Sequence, residues 1–210
     1  MTERAAILAA LCEHGRSLFA RGFTVAAGGN LSHRLGGGFL MEATSTSLGR
    51  LTQAEFVLCD PSGAAAEPGP APSKEVPLHA AIYRRRPDAS AIVHLHAPSS
   101  IALGCMAAPT DTGNVLPAVS VYGALRVGRV PLLEYIQPGT ARLAERVGQV
   151  CHDVNALLLS NHGLVSWAPS LDAAVDIAEE LEQSARIWLA TGGAARVLGD
   201  DDLATLPRPG

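Results

Sequence analysis

Three histidines have the spacing of ligands for one metal ion. His94 and His96 lie two residues apart in the segment Ala91–His96, which is predicted to be a strand, so both imidazoles project from the same face. His162 follows the apolar segment Ala156–Leu159 and precedes a glycine, a position where sites collect in α/β folds. Taken alone, the His94/His96 pair is equally typical of two histidines with a structural role.

Glu75 adds a carboxylate to this set. It opens a predicted helix, Glu75–Arg86, and follows the turn Pro72-Ser73-Lys74. Three neutral imidazoles and a carboxylate would hold Zn²⁺ or a similar divalent ion, and a carboxylate that leaves the metal can act as general acid or base. His79 lies on the same helix face at i+4, where it can orient Glu75, back up the metal or pack in the core. A solvated first-turn carboxylate is the structural alternative for Glu75.

The composition excludes several classes of protein. The 210 residues are 48% hydrophobic and 17% charged with a net charge of −4, and they contain no basic stripe of the kind that binds nucleic acid. The apolar runs are far shorter than the roughly 20 residues of a membrane-spanning helix, and the first residues do not resemble a signal peptide. Four scattered cysteines indicate neither a disulfide framework nor a cysteine zinc site. We expect one cytoplasmic domain over residues 1–210, without nucleic-acid or membrane partners.

Helices alternate with short strands, but not in a strict βα repeat. The predicted helices are Thr2–Arg21, Glu75–Arg86, Pro98–Cys105, Thr140–Cys151 and Leu171–Ala190. The predicted strands are Asn30–Arg34, Phe39–Met41, Ala91–His96, Pro117–Val121, Val127–Leu133 and Ala156–Leu159. This pattern favours an α/β sandwich with a mixed sheet and flanking helices. Residues 192–210 are polar with Pro and Gly, and we expect a segment that is mobile or docks on a neighbour.

Several separate segments together resemble the class II aldolase/adducin family of metal-dependent sugar-phosphate lyases and epimerases, from about Leu8 to Leu189. These segments are Gly28–Ser32, Ser73–Glu75 with His79, Arg86–Asp88 leading to Val93–His96, and Asn161–Gly163. The resemblance implies an α/β/α sandwich with a central mixed, mainly antiparallel sheet, and a homotetramer with active sites between subunits. It also implies Zn²⁺, or Mn²⁺, Fe²⁺ or Co²⁺, on the three histidines, with Glu75 as resting ligand and acid/base.

The same resemblance implies which residues bind substrate. In phosphate-using relatives the phosphate is held at the equivalents of Asn30, Thr44, Ser45 and Ser73. The position of Glu75 is an aspartate in the pentulose-phosphate epimerases, so glutamate favours the carbon-carbon lyases. Lys74 favours the branch that decarboxylates 3-oxo-tetronate 4-phosphates, because the aldolases usually have serine there. A cation at Lys74 can hold a substrate phosphate or carboxylate.

We therefore expect a lyase that converts 3-oxo-tetronate 4-phosphate to dihydroxyacetone phosphate and CO₂ through an enediolate that a divalent metal stabilises. One alternative is a zinc aldolase of the fuculose-phosphate type, and another is a non-catalytic interaction module like the adducin head. Without the resemblance, the same residues also allow a zinc hydrolase in which Glu75 activates water.

The sequence departs from the family pattern at two places. Glu42-Ala43 stands where relatives commonly have Thr-Pro, and no tyrosine follows Ala190. Some relatives use a C-terminal tyrosine of a neighbouring subunit as proton donor. Tyr122 and Tyr135 are the remaining candidates for such a donor, and Arg126 can reach a substrate anion or have a structural role.

Overall fold

The middle layer of the protein is a seven-stranded sheet, described by a computed structural model that covers residues 2–206. The strands are β1 Asn30–Leu35, β2 Gly38–Glu42, β3 Phe56–Cys59, β4 Ala91–Leu95, β5 Leu132–Leu133, β6 Ala156–Leu159 and β7 Gly163–Ala168. Their order is β3-β2-β1-β4-β7-β6-β5, and all neighbours pair antiparallel except β5 and β6. The predicted α/β fold with a mixed, mainly antiparallel sheet is confirmed.

Helices cover both faces of the sheet. They are α1 Glu3–Ala20, α2 Val76–Arg85, α3 Pro98–Met106, α4 Val121–Arg126, α5 Ala141–Val150, α6 Leu171–Ala190 and α7 Asp200–Ala204. The longest, α6, begins as predicted at Ser170, whose hydroxyl accepts a hydrogen bond from the Ala173 N–H at 3.2 Å. Within residues 2–206, none of the helices combines the length and the apolar character that a membrane crossing requires.

The sheet separates two hydrophobic cores. One core joins α1, α3 and α6, and the other joins α2 and α5. Along β4, Val93 and Leu95 belong to the first core and Ile92 to the second, as the two-residue period of a strand requires. His94 shares the face of Ile92, and this register turns its imidazole toward the start of α2.

One of the predicted strands is wrong, and a second is confirmed only over its last two residues. Pro117–Val121 leads into α4, because the Ser120 hydroxyl accepts a hydrogen bond from the Gly123 N–H at 3.0 Å and caps that helix. In Val127–Leu133 only β5 pairs in the sheet, and Pro131 directly before it has no N–H to donate. The β-branched residues that favour a strand are overridden by a helix cap and a proline. The sequence predicts neither β3 nor β7.

The C-terminal segment docks on its own chain as far as the structure describes it. The Leu198 N–H donates to the carbonyl of Ala118 at 2.9 Å, and Leu203 of α7 lines a groove beside α4. The expectation of a tail over 192–210 is therefore replaced by a packed segment up to residue 206. Residues 207–210, which belong to the same expectation, lie outside the described residues.

Candidate metal centre

Four potential ligands converge where three elements of the fold end. His94 lies in β4 and His96 directly after it, His162 lies in the turn between β6 and β7, and Glu75 directly precedes α2. One ligand atom from each of the four lies within 4.8 Å of the others. The structure thus brings together the ligand set that the sequence predicts from three distant segments.

The backbone at this point leaves no room for larger residues. A Cβ on Gly163 would lie 2.2 Å from the carbonyl oxygen of Leu95, one residue before His96. Gly29, at φ +77°, is equally constrained, since its Cβ would lie 2.7 Å from the carbonyl oxygen of His94. Close backbone packing between the β6–β7 turn, the loop before β1 and the end of β4 therefore fixes the spacing of the imidazoles.

The ligand atoms face one another with few other partners. His94 Nε2 lies 3.1 Å from Glu75 Oε2 and 3.2 Å from His96 Nε2. Glu75 Oε1 lies 3.3 Å from His162 Nε2, but this buried oxygen has no hydrogen bond from the described residues. Lone pairs that converge in a buried place are unfavourable unless a cation lies between them.

The tautomer of His94 also fits a metal ligand. Its Nδ1 lies 2.8 Å from the carbonyl oxygen of Leu164, an acceptor, so the proton resides on Nδ1. Nε2 then presents its lone pair toward Glu75, His96 and His162. Such a hydrogen bond on the far ring nitrogen is the usual support of a ligating histidine. Three imidazoles and one carboxylate match the ligands that Zn²⁺ and related ions prefer.

Electrostatics favour the ligating forms of Glu75 and His96. Burial opposes ionisation of Glu75, but His94 and His162 outweigh it and hold the pKa of the carboxyl far below its ordinary range. Burial and the two neighbouring imidazoles lower the pKa of His96 to about 4. For His94, the Glu75 carboxylate outweighs burial and raises the pKa. At neutral pH Glu75 is therefore an anion, and the His96 imidazole is uncharged, with a lone pair that can bind a metal ion.

Asn30 and His79 lie behind Glu75. The Asn30 amide donates from Nδ2 to Glu75 Oε2 at 2.8 Å, and its Oδ1 lies 2.5 Å from His79 Nε2. The Asn30 side chain, 4% exposed, is thus engaged on Glu75 instead of being free for a phosphate group. His79 reaches Glu75 through Asn30, because its other ring nitrogen, Nδ1, is occupied by Ser32.

An open cavity of about 370 Å³ lies in front of the four ligands. Its wall includes all five residues predicted to bind the substrate: Asn30, Thr44, Ser45, Ser73 and Lys74. The Ser73 hydroxyl accepts from the Glu75 N–H at 3.3 Å, which ties the turn to Glu75. Lys74 is exposed and is the only lysine in the sequence. Among the described residues that line the cavity, it is the one permanent cation.

Glu42, the departure from the family pattern, also belongs to the cavity wall. Both oxygens of its carboxyl group lie within hydrogen-bond distance of the Leu31 N–H, at 2.8 and 2.9 Å, and its own carbonyl accepts from the Ser73 N–H at 2.8 Å. Burial raises the pKa of Glu42 to about 8, although backbone N–H groups partly offset this. The buried Glu42 carboxyl thus joins the end of β2 to β1, and the backbone carbonyl of the same residue joins it to the Ser73 turn.

Three other candidate residues lie apart from this cavity within the chain. Arg126 forms an ion pair with Asp176 of α6, and its guanidinium carbon lies 6.0 Å from the centre of the Tyr122 ring. Tyr122 and Tyr135 are both 62% exposed. Neither tyrosine nor Arg126 lines the cavity of the four ligands as the structure describes it.

The sequence does not predict the roles of two residues near the centre. Ser32 lies 2.7 Å from His79 Nδ1, and the Tyr83 hydroxyl lies 2.8 Å from the Ser32 hydroxyl. The available signals are weak: Ser32 is two residues from Asn30 on one strand face, and Tyr83 is four residues from His79 on one helix face. Both spacings are equally typical of core packing.

Comparison with known proteins gives one consistent relationship. The family described as Class II Aldolase and Adducin N-terminal domain matches residues 9–189. A 3-oxo-tetronate 4-phosphate decarboxylase of Pectobacterium atrosepticum is 39% identical over 194 residues, 91% of this chain and 88% of the relative. An L-fuculose phosphate aldolase of Escherichia coli is 32% identical, over 88% of this chain and 85% of the relative.

The fold of YgbL from Klebsiella pneumoniae, known from a crystal structure, is similar with a TM-score of 0.92. The two chains are 34% identical, and the match covers 99% of this chain and 100% of YgbL. The family resemblance predicted from the sequence is therefore confirmed. The chain belongs to the class II aldolase and adducin family.

Proposed function

We propose that the protein is a metal-dependent lyase that decarboxylates a 3-oxo-tetronate 4-phosphate to dihydroxyacetone phosphate and CO₂. The observation that carries this proposal is the convergence of Glu75 and three histidines beside a cavity. The rim of this cavity is formed by Thr44, Ser45, Ser73 and Lys74. The decarboxylases at 36–39% identity support the substrate class.

The reaction needs an electron sink and a proton donor. Loss of CO₂ breaks the C1–C2 bond and leaves the electron pair on C2, from which it flows into the C3 carbonyl. A divalent metal held by His94, His96 and His162 would supply the positive charge that stabilises this negative charge on oxygen. C2 then takes up one proton, which replaces the carboxyl group.

Glu75 is the group that we assign to this proton. At rest His94 and His162 hold the pKa of its carboxyl low, so it is an anion that can bind the metal. When substrate takes its place, the carboxylate leaves these two histidines, and its affinity for a proton rises. Asn30 keeps it next to the cavity through the 2.8 Å hydrogen bond to Oε2. Once it has taken up a proton from water, Glu75 can deliver that proton to C2.

The rim of the cavity is assigned to the anionic groups of the substrate. Thr44, Ser45 and Ser73 offer hydroxyl and backbone donors for phosphate. Lys74 adds a full charge that can pair with the phosphate or with the carboxylate that is lost. We assign Asn30 to Glu75 rather than to phosphate, because both ends of its amide are already engaged.

We further propose that the metal is zinc and that the enzyme is a cytoplasmic homotetramer. The three-nitrogen, one-oxygen ligand set supports zinc, with Mn²⁺, Fe²⁺ and Co²⁺ as the other candidates. Four free cysteines support a reducing compartment. The exposed side chains of Val121, Tyr122 and Val197 support a contact with another subunit. Through this contact Tyr122 can reach the cavity of that subunit.

An aldolase is the second candidate function. The same centre would stabilise the same enediolate when a ketose phosphate is cleaved, and the fuculose phosphate aldolases at 32% identity support it. Lys74, in place of the usual serine, is the reason to rank the decarboxylase first. A non-catalytic module ranks last, since all four ligands and the cavity are present.

The test is release of dihydroxyacetone phosphate from 3-oxo-tetronate 4-phosphate by zinc-loaded protein, corrected for spontaneous decarboxylation. We expect the zinc-loaded protein to release dihydroxyacetone phosphate. A chelator should stop this release, and added zinc should restore it. A folded, metal-loaded protein that releases none would contradict the proposal, and a panel of ketose 1-phosphates would then test the aldolase.

A further inference from the structure

A continuous line of hydrogen bonds runs from Tyr83 to Glu75. The Tyr83 hydroxyl lies 2.8 Å from Ser32 Oγ, and Ser32 Oγ lies 2.7 Å from His79 Nδ1. His79 Nε2 lies 2.5 Å from Asn30 Oδ1, and Asn30 Nδ2 lies 2.8 Å from Glu75 Oε2. Five side chains from β1, α2 and the residue before α2 are therefore joined end to end.

The donors and acceptors along this line run in one direction. The ionised Glu75 carboxylate can only accept, so the Asn30 amide must turn its NH₂ group toward it and its oxygen toward His79. That oxygen can also only accept, so the His79 proton must reside on Nε2. Nδ1 of a neutral imidazole is then an acceptor for the Ser32 hydroxyl. Ser32 in turn accepts from Tyr83, whose hydroxyl lies 2.8 Å from Ser32 Oγ but 3.5 Å from its other acceptor, the Ser90 carbonyl.

Burial protects this arrangement from water. His79 and Ser32 are fully buried, and Asn30 and Tyr83 are 4% and 6% exposed. Burial, and secondarily His94, lower the pKa of His79 to about 3, so its imidazole is neutral at physiological pH. A reversed Asn30 amide would place its oxygen against the Glu75 carboxylate with no water to replace the lost hydrogen bond.

We infer that Tyr83, Ser32 and His79 are positioning residues, which fix the orientation of the Asn30 amide and through it the place of the Glu75 carboxylate. Each of the three acts through its neighbour and lies behind Asn30 rather than in the cavity. The inference deepens the proposed function and rests on it only for the role of Glu75 in turnover. The orientation itself and its effect on metal binding can be measured without any substrate.

The direct test is the tautomer of His79 in the zinc-loaded full-length protein. Nitrogen-15 labelling of the histidines, with the signal assigned by its loss in His79→Gln, distinguishes an Nε2 proton from an Nδ1 proton. We expect the Nε2–H tautomer at pH 7, unchanged on addition of a chelator. An Nδ1–H tautomer or an imidazolium at pH 7 would overturn the inference, whether or not the protein is a decarboxylase.

A second test measures zinc affinity by competition with a chromophoric chelator. Ser32→Ala removes the donor that holds His79 Nδ1 as an acceptor, and we expect zinc binding to weaken by up to about 10-fold, the lower end of the effect of removing a direct partner of a ligand. Ser166→Ala is the matched control, since Ser166 is also a fully buried strand serine with one hydrogen bond, to the Ala174 carbonyl. Equal zinc affinity in the two folded variants would contradict the inference. If Ser32→Ala does not fold, the tautomer of the wild-type protein decides.

Discussion

The four-ligand centre and the rim of the same cavity are built in opposite ways. In the centre, His94 is fully buried and its Nδ1 is held by a backbone carbonyl, while Glu75 is held by Asn30. On the rim, Thr44, Ser45 and Lys74 are exposed on loops. The ends of strands and the start of α2 thus position the groups assigned to the chemistry, and loops carry those assigned to the choice of substrate.

This difference fits a family whose members are named as decarboxylases and as aldolases. Both reactions need the same electron sink and the same acid/base, which the buried centre supplies in this proposal. They differ in the group that leaves, and the rim is where a single exchange such as serine to Lys74 changes the charge presented to that group. Changes to the centre should therefore stop turnover, and changes to the rim should alter substrate preference.

The largest effect is expected from His94→Ala. It removes the most buried of the four proposed ligands, so we expect loss of metal retention and of turnover. Metal content after gel filtration, together with the rate, is the measurement. His152→Ala changes a mostly exposed histidine and should retain full metal content. A His94→Ala protein that keeps stoichiometric metal would contradict the assignment of metal binding to the buried centre.

Glu75→Gln tests the acid/base assignment within the centre. The amide keeps the shape of the side chain but cannot deliver a proton, so we expect a folded protein with turnover reduced by about 10²- to 10⁴-fold. Circular dichroism and initial rates are the measurements, with Glu145→Gln on the surface of α5 as the control. Turnover within a few-fold of the wild type would remove Glu75 from the chemistry.

Lys74→Ser tests the rim and should have a smaller effect. Loss of one charge-assisted hydrogen bond is expected to lower kcat/KM for the phosphorylated acid by about 10- to 100-fold, mainly through KM, with unchanged metal content. Lys74→Arg keeps the charge and should retain more activity. Because Lys74 is the only lysine, substrate should also protect this one side chain from amine-directed modification. Unchanged kinetics in Lys74→Ser would remove the reason for ranking the decarboxylase first.

Of the four variants, Glu42→Gln is expected to change turnover least and to change the pH dependence of folding stability most. The pKa of Glu42 is raised to about 8 in the folded protein from about 4.3 in an unfolded chain. Its contribution to stability is therefore complete below about pH 4 and is lost as pH rises to about 8, at up to about 1.4 kcal/mol per pH unit. Denaturant unfolding between pH 5 and pH 8 should show a flatter pH profile in Glu42→Gln. Identical profiles would contradict this role of Glu42.

The sequence predicts the centre better than its surroundings, for physical reasons. The two-residue spacing of His94 and His96 is local, and it sets the direction of both side chains once a strand forms. The contact between Ser32 and His79 depends instead on how β1 packs on α2, 47 residues later in the chain. No local pattern encodes such a pairing.

The fold shows the same limit. The helix Leu171–Ala190 is predicted with its cap, because Ser170 and the apolar period act within a few residues. The segment Pro117–Val121 is rich in β-branched residues, yet the Ser120 cap and the following turn determine its structure. Side-chain preference predicts a strand only where a neighbouring strand is available to pair with it.

The most direct test of the central claim is a comparison of two substrates on one metal-loaded preparation. The kcat/KM values for 3-oxo-tetronate 4-phosphate and for L-fuculose 1-phosphate would be measured side by side, each with a chelated control. We predict that the metal-dependent kcat/KM is far higher for the 3-oxo acid than for the ketose phosphate. The ratio of the two values should fall in Lys74→Ser. Faster cleavage of the ketose phosphate by the wild-type protein would contradict the account.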